Sequence, residues 1–224
     1  MFERQGLHLA LVALLVLAVA LLARRVDQGG ALFGLPATLW LWFTVGAAIV
    51  HQGYVMLAWR AELHHRTITQ RFGRNAFIIY ACGVADLALW RVLALIALTV
   101  ANRGVWSLPS GLCVAVSLLA LVPWGCLVVD ITRHFGWGRA LGGDHFDPVR
   151  PALVREGLWG PIENPIYTLG PLVLYLPGLL LNAPLALLSA AFQHAALWVH
   201  WYCTEVPDMA RIYGDVRTSE RQKV

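Results

Sequence analysis

The chain has 224 residues, of which 58% are hydrophobic and only 13% charged. So apolar a chain cannot close into one soluble domain with a wetted surface, and it reads as an integral membrane protein. Its net charge of +4 invites a nucleic-acid reading, but the basic residues are dispersed at the ends of apolar runs. There they set topology and meet anionic lipid head groups, and no compact basic and aromatic surface for nucleic acid is present.

A helix needs about 20 residues to cross a hydrocarbon core of roughly 30 Å. Apolar runs of that order lie at 7–23, 35–59, 75–101 and 110–129, followed by a tight pair at 167–181 and 184–202. The sequence therefore predicts an all-α, polytopic membrane protein of about six spans, ending in a short helical hairpin. It forms a single membrane domain over 1–224, with four spans in 1–131 and a glycine-containing loop, hairpin and tail in 132–224. The first run resembles a secretory signal in length, but Phe2-Glu3-Arg4 carries no net positive charge and Arg24-Arg25 replaces a small-residue cleavage site. It reads as a retained span.

With the N-terminus inside, the cytoplasmic segments hold Arg4, Arg60, Arg66, Arg71, Arg74, Arg133, Arg139, Arg150, Arg155, Arg211, Arg217, Arg221 and Lys223, thirteen of the seventeen Lys and Arg. Arg24, Arg25 and Arg103 fall on the opposite side, and Arg91 lies within a span. The positive-inside bias predicts an even number of crossings with both termini cytoplasmic; in a bacterial cell the membrane would be the cell or inner membrane. Both polar ends of the hairpin then face the cytoplasm.

Asp86 and Arg91 in the third span are costly at membrane depth, where a charge is paired or functional. Five residues put them about 140° apart around a helix, so they need not be partners. They read as tethers to neighbouring spans, with a snorkelling Arg as one form, or as lining for a substrate groove. Cys82, Cys113, Cys126 and Cys203 lie in or beside apolar runs without a C-x-x-C pair and read as small buried hydrophobes. Eight histidines raise the possibility of a membrane di-iron site, which needs repeated H-x-x-H-H boxes. Only His64-His65 are adjacent, and His194 and His200 face directions about 120° apart. No metal is expected.

The connection from Thr132 to Asn164 is long for a loop, a length that points to function or disorder. It opens with RHFGWGRALGGDHFD, which combines Gly136, Gly138, Gly142 and Gly143 with Asp144, His145 and Asp147. Glycines let a backbone approach a ligand, and carboxylates suit hydroxyls or cations. A plain interhelical turn fits the same residues. In Glu163-Asn164-Pro165-Ile166-Tyr167, Asn164 suits a helix cap and Pro165 the first helical turn. Pro171 and Pro177 disturb the short run that follows, and Asn182-Ala183-Pro184 supplies the turn, bringing Tyr167 and Glu205 together at the hairpin mouth. Trp198, Trp201 and Tyr202 crowd the end of the last span before Glu205. A carboxylate beside aromatic faces suits an ammonium or sulfonium ion, and interfacial anchoring suits the same aromatics.

These residues resemble a family. ENPIY is similar to the D-N-P-x-Y element of phosphatidylethanolamine N-methyltransferases and, more distantly, to the R-H-P-x-Y of isoprenylcysteine carboxyl methyltransferases. EVPDMARIYG at 205–214 is similar to the E-E-P-x-x-A-x-I-Y that closes the lipid methyltransferases, and GWGRALGGDHFD at 136–147 to their glycine segment ending L-G-D-x-F. The resemblance spans 136–214, and the N-terminal spans match only in character.

The resemblance implies a membrane methyltransferase that takes S-adenosylmethionine from the cytosol and methylates a membrane lipid, with phosphatidylethanolamine or its methylated derivatives leading. Methylation of a prenylcysteine carboxylate or a small thiol is the alternative, and a noncatalytic protein retaining the fold is the rival. By position, Gly136 and Gly138 would approach the donor, Asn164, Pro165 and Tyr167 would shape its pocket, and Glu205 would hold its amino-acid part. The family's second glutamate is here Val206, for which Asp208 is a candidate substitute. A lipid amine with a pKa around ~10 must lose a proton before attack. His145, Asp144, Asp147 and Glu163 are candidate relays, with Tyr167 beside the reacting amine. Trp159, Trp198, Trp201 and Tyr202 would face the methylated ammonium.

Overall fold

The computed structural model describes residues 1–147 and 153–214. Arg150, Arg217, Arg221 and Lys223, counted above for orientation, lie outside them. Apart from its connecting turns and a hairpin of two two-residue strands, the described chain is helical. α1 (Gln5–Ala23) is followed by β1 (Ala31–Leu32) and β2 (Leu35–Pro36), paired antiparallel with Ala31 opposite Pro36. Then come α2 (Ala37–His65), α3 (Thr67–Phe72), α4 (Ala76–Ala101) and α5 (Ser110–Asp130). Short helices α6 (Trp137–Ala140), α7 (Pro165–Leu169) and α8 (Leu176–Leu180) precede α9 (Pro184–His200) and α10 (Val206–Tyr213).

Four helical stretches among the described residues are long and apolar enough to cross a membrane: Gln5–Ala23, Ala37–His65, Thr67–Ala101 and Ser110–Phe135. A shorter apolar helix spans Pro165–Leu180. The bundle exposes large side chains that water would penalise, among them Leu9, Leu119 and Val122, as expected of a surface facing acyl chains.

In lipid, apolar surface alone does not drive helices together, so close packing and buried polar bonds must do so. α9 is the central helix, packed against α1, α2 and α4. It presents buried Ala186, Ala190 and Ala196, small enough for neighbouring backbones to approach. A polar seam runs through the same interface, with Ser189 Oγ donating to Thr44 Oγ1 at 2.7 Å and Gln193 Nε2 to Ser189 Oγ at 3.2 Å. α5 stands apart from this group and packs on the hairpin helices α7 and α8.

The hairpin follows its prolines. Asn164 caps α7 through a bond from Tyr167 N–H at 3.3 Å, with Pro165 in the first turn. Between α7 and α8 the chain tightens to a 3₁₀ turn over Gly170–Tyr175, because Pro171 and Pro177 cannot donate to an α ladder.

Two π-helical turns mark one end of the bundle, Ile131–Phe135 after α5 and Trp201–Glu205 after α9. Such turns are frequent at functional sites, since they widen the ladder and re-aim side chains. At the second turn Arg60 Nη2 donates to the carbonyls of Cys203 and Thr204 at 3.3 and 3.2 Å. Gln5 Nε2 bonds the Cys203 carbonyl from α1. The starts of α1 and α4 and the ends of α2, α5 and α9 therefore share this end of the molecule.

Candidate functional site

A cavity of about 780 Å³ opens between these elements, within the size range of small-molecule sites. One wall comes from α2 and α4 through His51, Gln52, Val55, Trp59, Tyr80, Val84, Ala88 and Arg91. The other comes from the glycine segment, the ENPIY turn and the last helices.

Glycine is required at one place in this wall and at one place behind it. Gly142 has φ +85°, and a Cβ there would lie 2.3 Å from Trp59 Nε1. Gly157 has φ +59°, and its Cβ would lie 1.9 Å from Asp130 Oδ1. Asp130 also accepts from Leu158 N–H at 3.1 Å, which fixes the loop carrying Trp159. Trp159 stacks on Phe135 with ring centroids 4.2 Å apart.

The polar groups of the wall fall into three sets. Tyr167 and Glu205 meet in a side-chain hydrogen bond at the hairpin mouth. Burial raises the Glu205 carboxyl above the ordinary carboxylate range, and the Tyr167 hydroxyl pulls partly the other way. Nearby, Arg139 Nε lies 3.2 Å from Asp144 Oδ2, and the Tyr213 hydroxyl bonds both residues. Burial and the Asp144 carboxylate push the Tyr213 phenol up. The third set lies deeper, where Arg91 Nη2 donates to Gln193 Oε1 at 2.8 Å and Nη1 meets His51 Nδ1 at 2.7 Å. Asp86 is exposed on the outer surface of α4, so the two charges of the third span have different surroundings.

Behind the wall sits a buried ion pair. Arg60 Nε and Asp208 Oδ1 are 2.8 Å apart with side chains 2% and 0% exposed. Asp208 Oδ2 also meets His145 Nε2 at 3.3 Å, while His145 Nδ1 meets the Gly142 carbonyl at 3.2 Å. His145 stacks on Trp59 with centroids 4.3 Å apart. Both its nitrogens are engaged, so its geometry is that of a strut between the glycine segment and α10.

Of the residues expected from the sequence, His145, Glu163, Asn164, Tyr167, Glu205, Trp159 and Trp201 line the cavity, as does the relay candidate Asp144. Pro165 is buried one step behind it. Trp198 lies in the next layer, with its ring 6.4 Å from Tyr167 and 5.3 Å from Trp201. Gly136 and Gly138 lie beside the wall, which Phe135 and the stretch from Arg139 to Gly142 provide instead. Tyr202 is not brought to the cavity, because its ring lies under the Arg4 guanidinium on the α1 side. Asp147 is exposed and outside the lining. Asp208 is fully buried on Arg60 and His145, so it does not supply the carboxylate missing at Val206, which does line the cavity.

Several wall residues were not picked out from the sequence. Arg139 and Tyr213 lie inside the two terminal motifs and were legible there as positions without roles. Trp59 closes the second apolar run outside any motif. His200, weighed above only as a metal ligand, is 1% exposed, lines the cavity and has no hydrogen-bond partner for either ring nitrogen. Among the described residues no three His, Cys, Asp or Glu side chains gather in a metal-binding group.

Fold and cavity thus define a polytopic helical membrane protein with a polar site let into one end of its bundle. Residues 112–216 match the family model described as phospholipid methyltransferase. That segment carries the glycine loop, the hairpin and the last helices, and its similarity to the family supports a membrane methyltransferase acting on lipid-related substrates. No curated protein and no solved structure gave a match to the chain. α1 to α4 lie before the matched segment, although α2 and α4 form one wall of the cavity.

Proposed function

We propose that the protein transfers a methyl group from S-adenosylmethionine to the amine of phosphatidylethanolamine or its methylated derivatives. The observation that carries this reading is the convergence of all three family-like motifs on one cavity that also has an apolar side toward α2 and α4. The donor set fits the donor's chemistry. Glu205, with Tyr167 and Trp201 beside it, suits a cationic group, Arg139 suits the amino-acid carboxylate, and Asn164 offers amide contacts. With both termini cytoplasmic, this end of the bundle faces the cytosolic pool of the donor.

The donor supplies an electrophilic methyl carbon on a sulfonium. The remaining task is to align a neutral amine with it and exclude water. Trp59, Tyr80 and Trp159 close the cavity around the amine, Tyr167 orients it through its hydroxyl, and the wall carboxylate Asp144 takes the proton the amine must lose. His145 and Asp208 hold this geometry from behind, and Glu163 stands exposed at the mouth.

In the test, purified protein in phosphatidylethanolamine micelles receives methyl-labelled donor, and the lipids are separated by mass. Label in mono-, di- or trimethylated phosphatidylethanolamine is expected, reduced at least tenfold by Tyr167→Ala and unchanged by Trp106→Ala at the far end. Label confined to a prenylated peptide or a small thioether would refute the lipid acceptor. Val206 in the wall favours one second reading, a noncatalytic protein retaining the fold, which predicts no donor binding at all.

A further inference from the structure

Arg91 is a cation at membrane depth whose hydrogen-bond partners are Gln193 and His51, with no carboxylate among them. It lies fifteen residues after the start of α4 and ten before its end, roughly 22 and 15 Å at 1.5 Å per residue. Nε and Nη2 donate to the amide oxygen of Gln193, and Nη1 bonds His51. Gln193 is held in turn by Ser189, and Ser189 by Thr44. Of the five N–H donors of a guanidinium three are thereby used, which leaves one on each terminal nitrogen. No carboxylate pairs with Arg91 among the described residues, and Asp86 is exposed on the outer side of the same helix.

A charge at this depth is normally paired. Here the guanidinium lines the cavity, braced by a chain of neutral polar groups that orient it without neutralising it. Two parallel N–H groups on a fixed fork match the oxygens of a phosphate or carboxylate. Between this fork and the aromatic floor of the donor end the wall is Val55, Val84 and Ala88, with no acidic side chain to repel an anion. Eight residues separate His51 from Trp59 along α2, about 12 Å. An extended phosphoethanolamine group with a hydrogen bond at each end covers that span.

We propose that Arg91, positioned by His51 and Gln193, forms an oxyanion subsite at the inner end of the cavity, which anchors the anionic group of the acceptor amphiphile while its nucleophile lies at the Tyr167 and Glu205 end. The assignment of this anion to an acceptor rests on the methyltransferase reading, but the subsite itself is testable without the donor. It also gives α2 and α4, outside the matched family segment, a role in choosing the acceptor.

The experiment measures binding of three probes to the full-length protein in a neutral detergent: dihexanoyl phosphatidylethanolamine, decanoate and the uncharged dihexanoylglycerol. Wild type should bind an oxyanion probe at least about tenfold more tightly than the glyceride. A preference for the phosphodiester assigns a phospholipid head group, and one for decanoate assigns a carboxylated amphiphile. Arg91→Gln should abolish the preference. Gln193→Glu supplies Arg91 with its own counter-ion and should abolish it too, in a fold that keeps the buried pair satisfied. Equal binding of all three probes, or an undiminished preference in folded Gln193→Glu, would overturn the subsite. Methyl transfer is scored separately: preference without transfer keeps the subsite and removes the methyltransferase reading, whereas transfer without preference does the reverse.

Discussion

Replacing Asp208 by Asn removes one charge from a pair that water does not reach. Arg60 and Asp208 are 2% and 0% exposed at 2.8 Å, and Arg60 also holds the Cys203 and Thr204 carbonyls of the π-helical turn that aims Glu205. Removing one partner of a buried pair leaves the other charge uncompensated, a loss of about 3 to 5 kcal/mol. In an Arg60→Met background no cation remains to be stranded. There the same substitution should cost only the hydrogen bond to His145 at 3.3 Å, about 1 kcal/mol. The surface pair Arg211 and Glu3, 3.6 Å apart and about half exposed, serves as the control, because such pairs contribute about 0 to 1 kcal/mol. The assay is unfolding in mixed micelles titrated with a denaturing detergent, followed by tryptophan fluorescence. A single-variant loss below about 1 kcal/mol, or the same loss in both backgrounds, would refute the buried-pair account.

Glu205→Gln should lower donor affinity roughly ten- to a hundredfold, about 1.5 to 3 kcal/mol for a charge-assisted contact, and calorimetry showing unchanged affinity would remove Glu205 from the site. The same variant should be more stable than wild type in the absence of ligand. The folded Glu205 carboxyl is raised by burial, so the folded state holds its proton more tightly and loses relative stability as pH rises through the ordinary carboxylate range toward the folded pKa; the advantage of Gln should grow over that window and level off above it. Gly142→Ala should destabilise the fold by at least about 1 to 3 kcal/mol from positive φ alone, with further loss from the Trp59 contact, and an unchanged melting temperature would contradict it. Val206→Glu, which adds a carboxylate to the cavity wall, should tighten donor binding by about tenfold, and weaker binding would show that the second carboxylate repels Glu205 instead.

The sequence by itself determined the membrane class, the proline-broken hairpin, the Asn164 cap and the set of motifs that meet at its mouth, because these depend on local rules: run length, missing N–H groups and cap chemistry. Tertiary structure alone decided what faces the cavity. In lipid both sides of a helix are apolar, so periodicity does not separate the lipid face from the packed face, and the contribution of Trp59, Tyr80 and Val84 from α2 and α4 was invisible. The π-helical turn at Trp201–Glu205 shifts register within the aromatic cluster, which is why Trp201 lines the cavity while Tyr202 turns to Arg4. Asp208 looked like a spare carboxylate for the site. Its role was set by Arg60, 148 positions earlier in the chain and 2.8 Å away, a contact that no local pattern encodes.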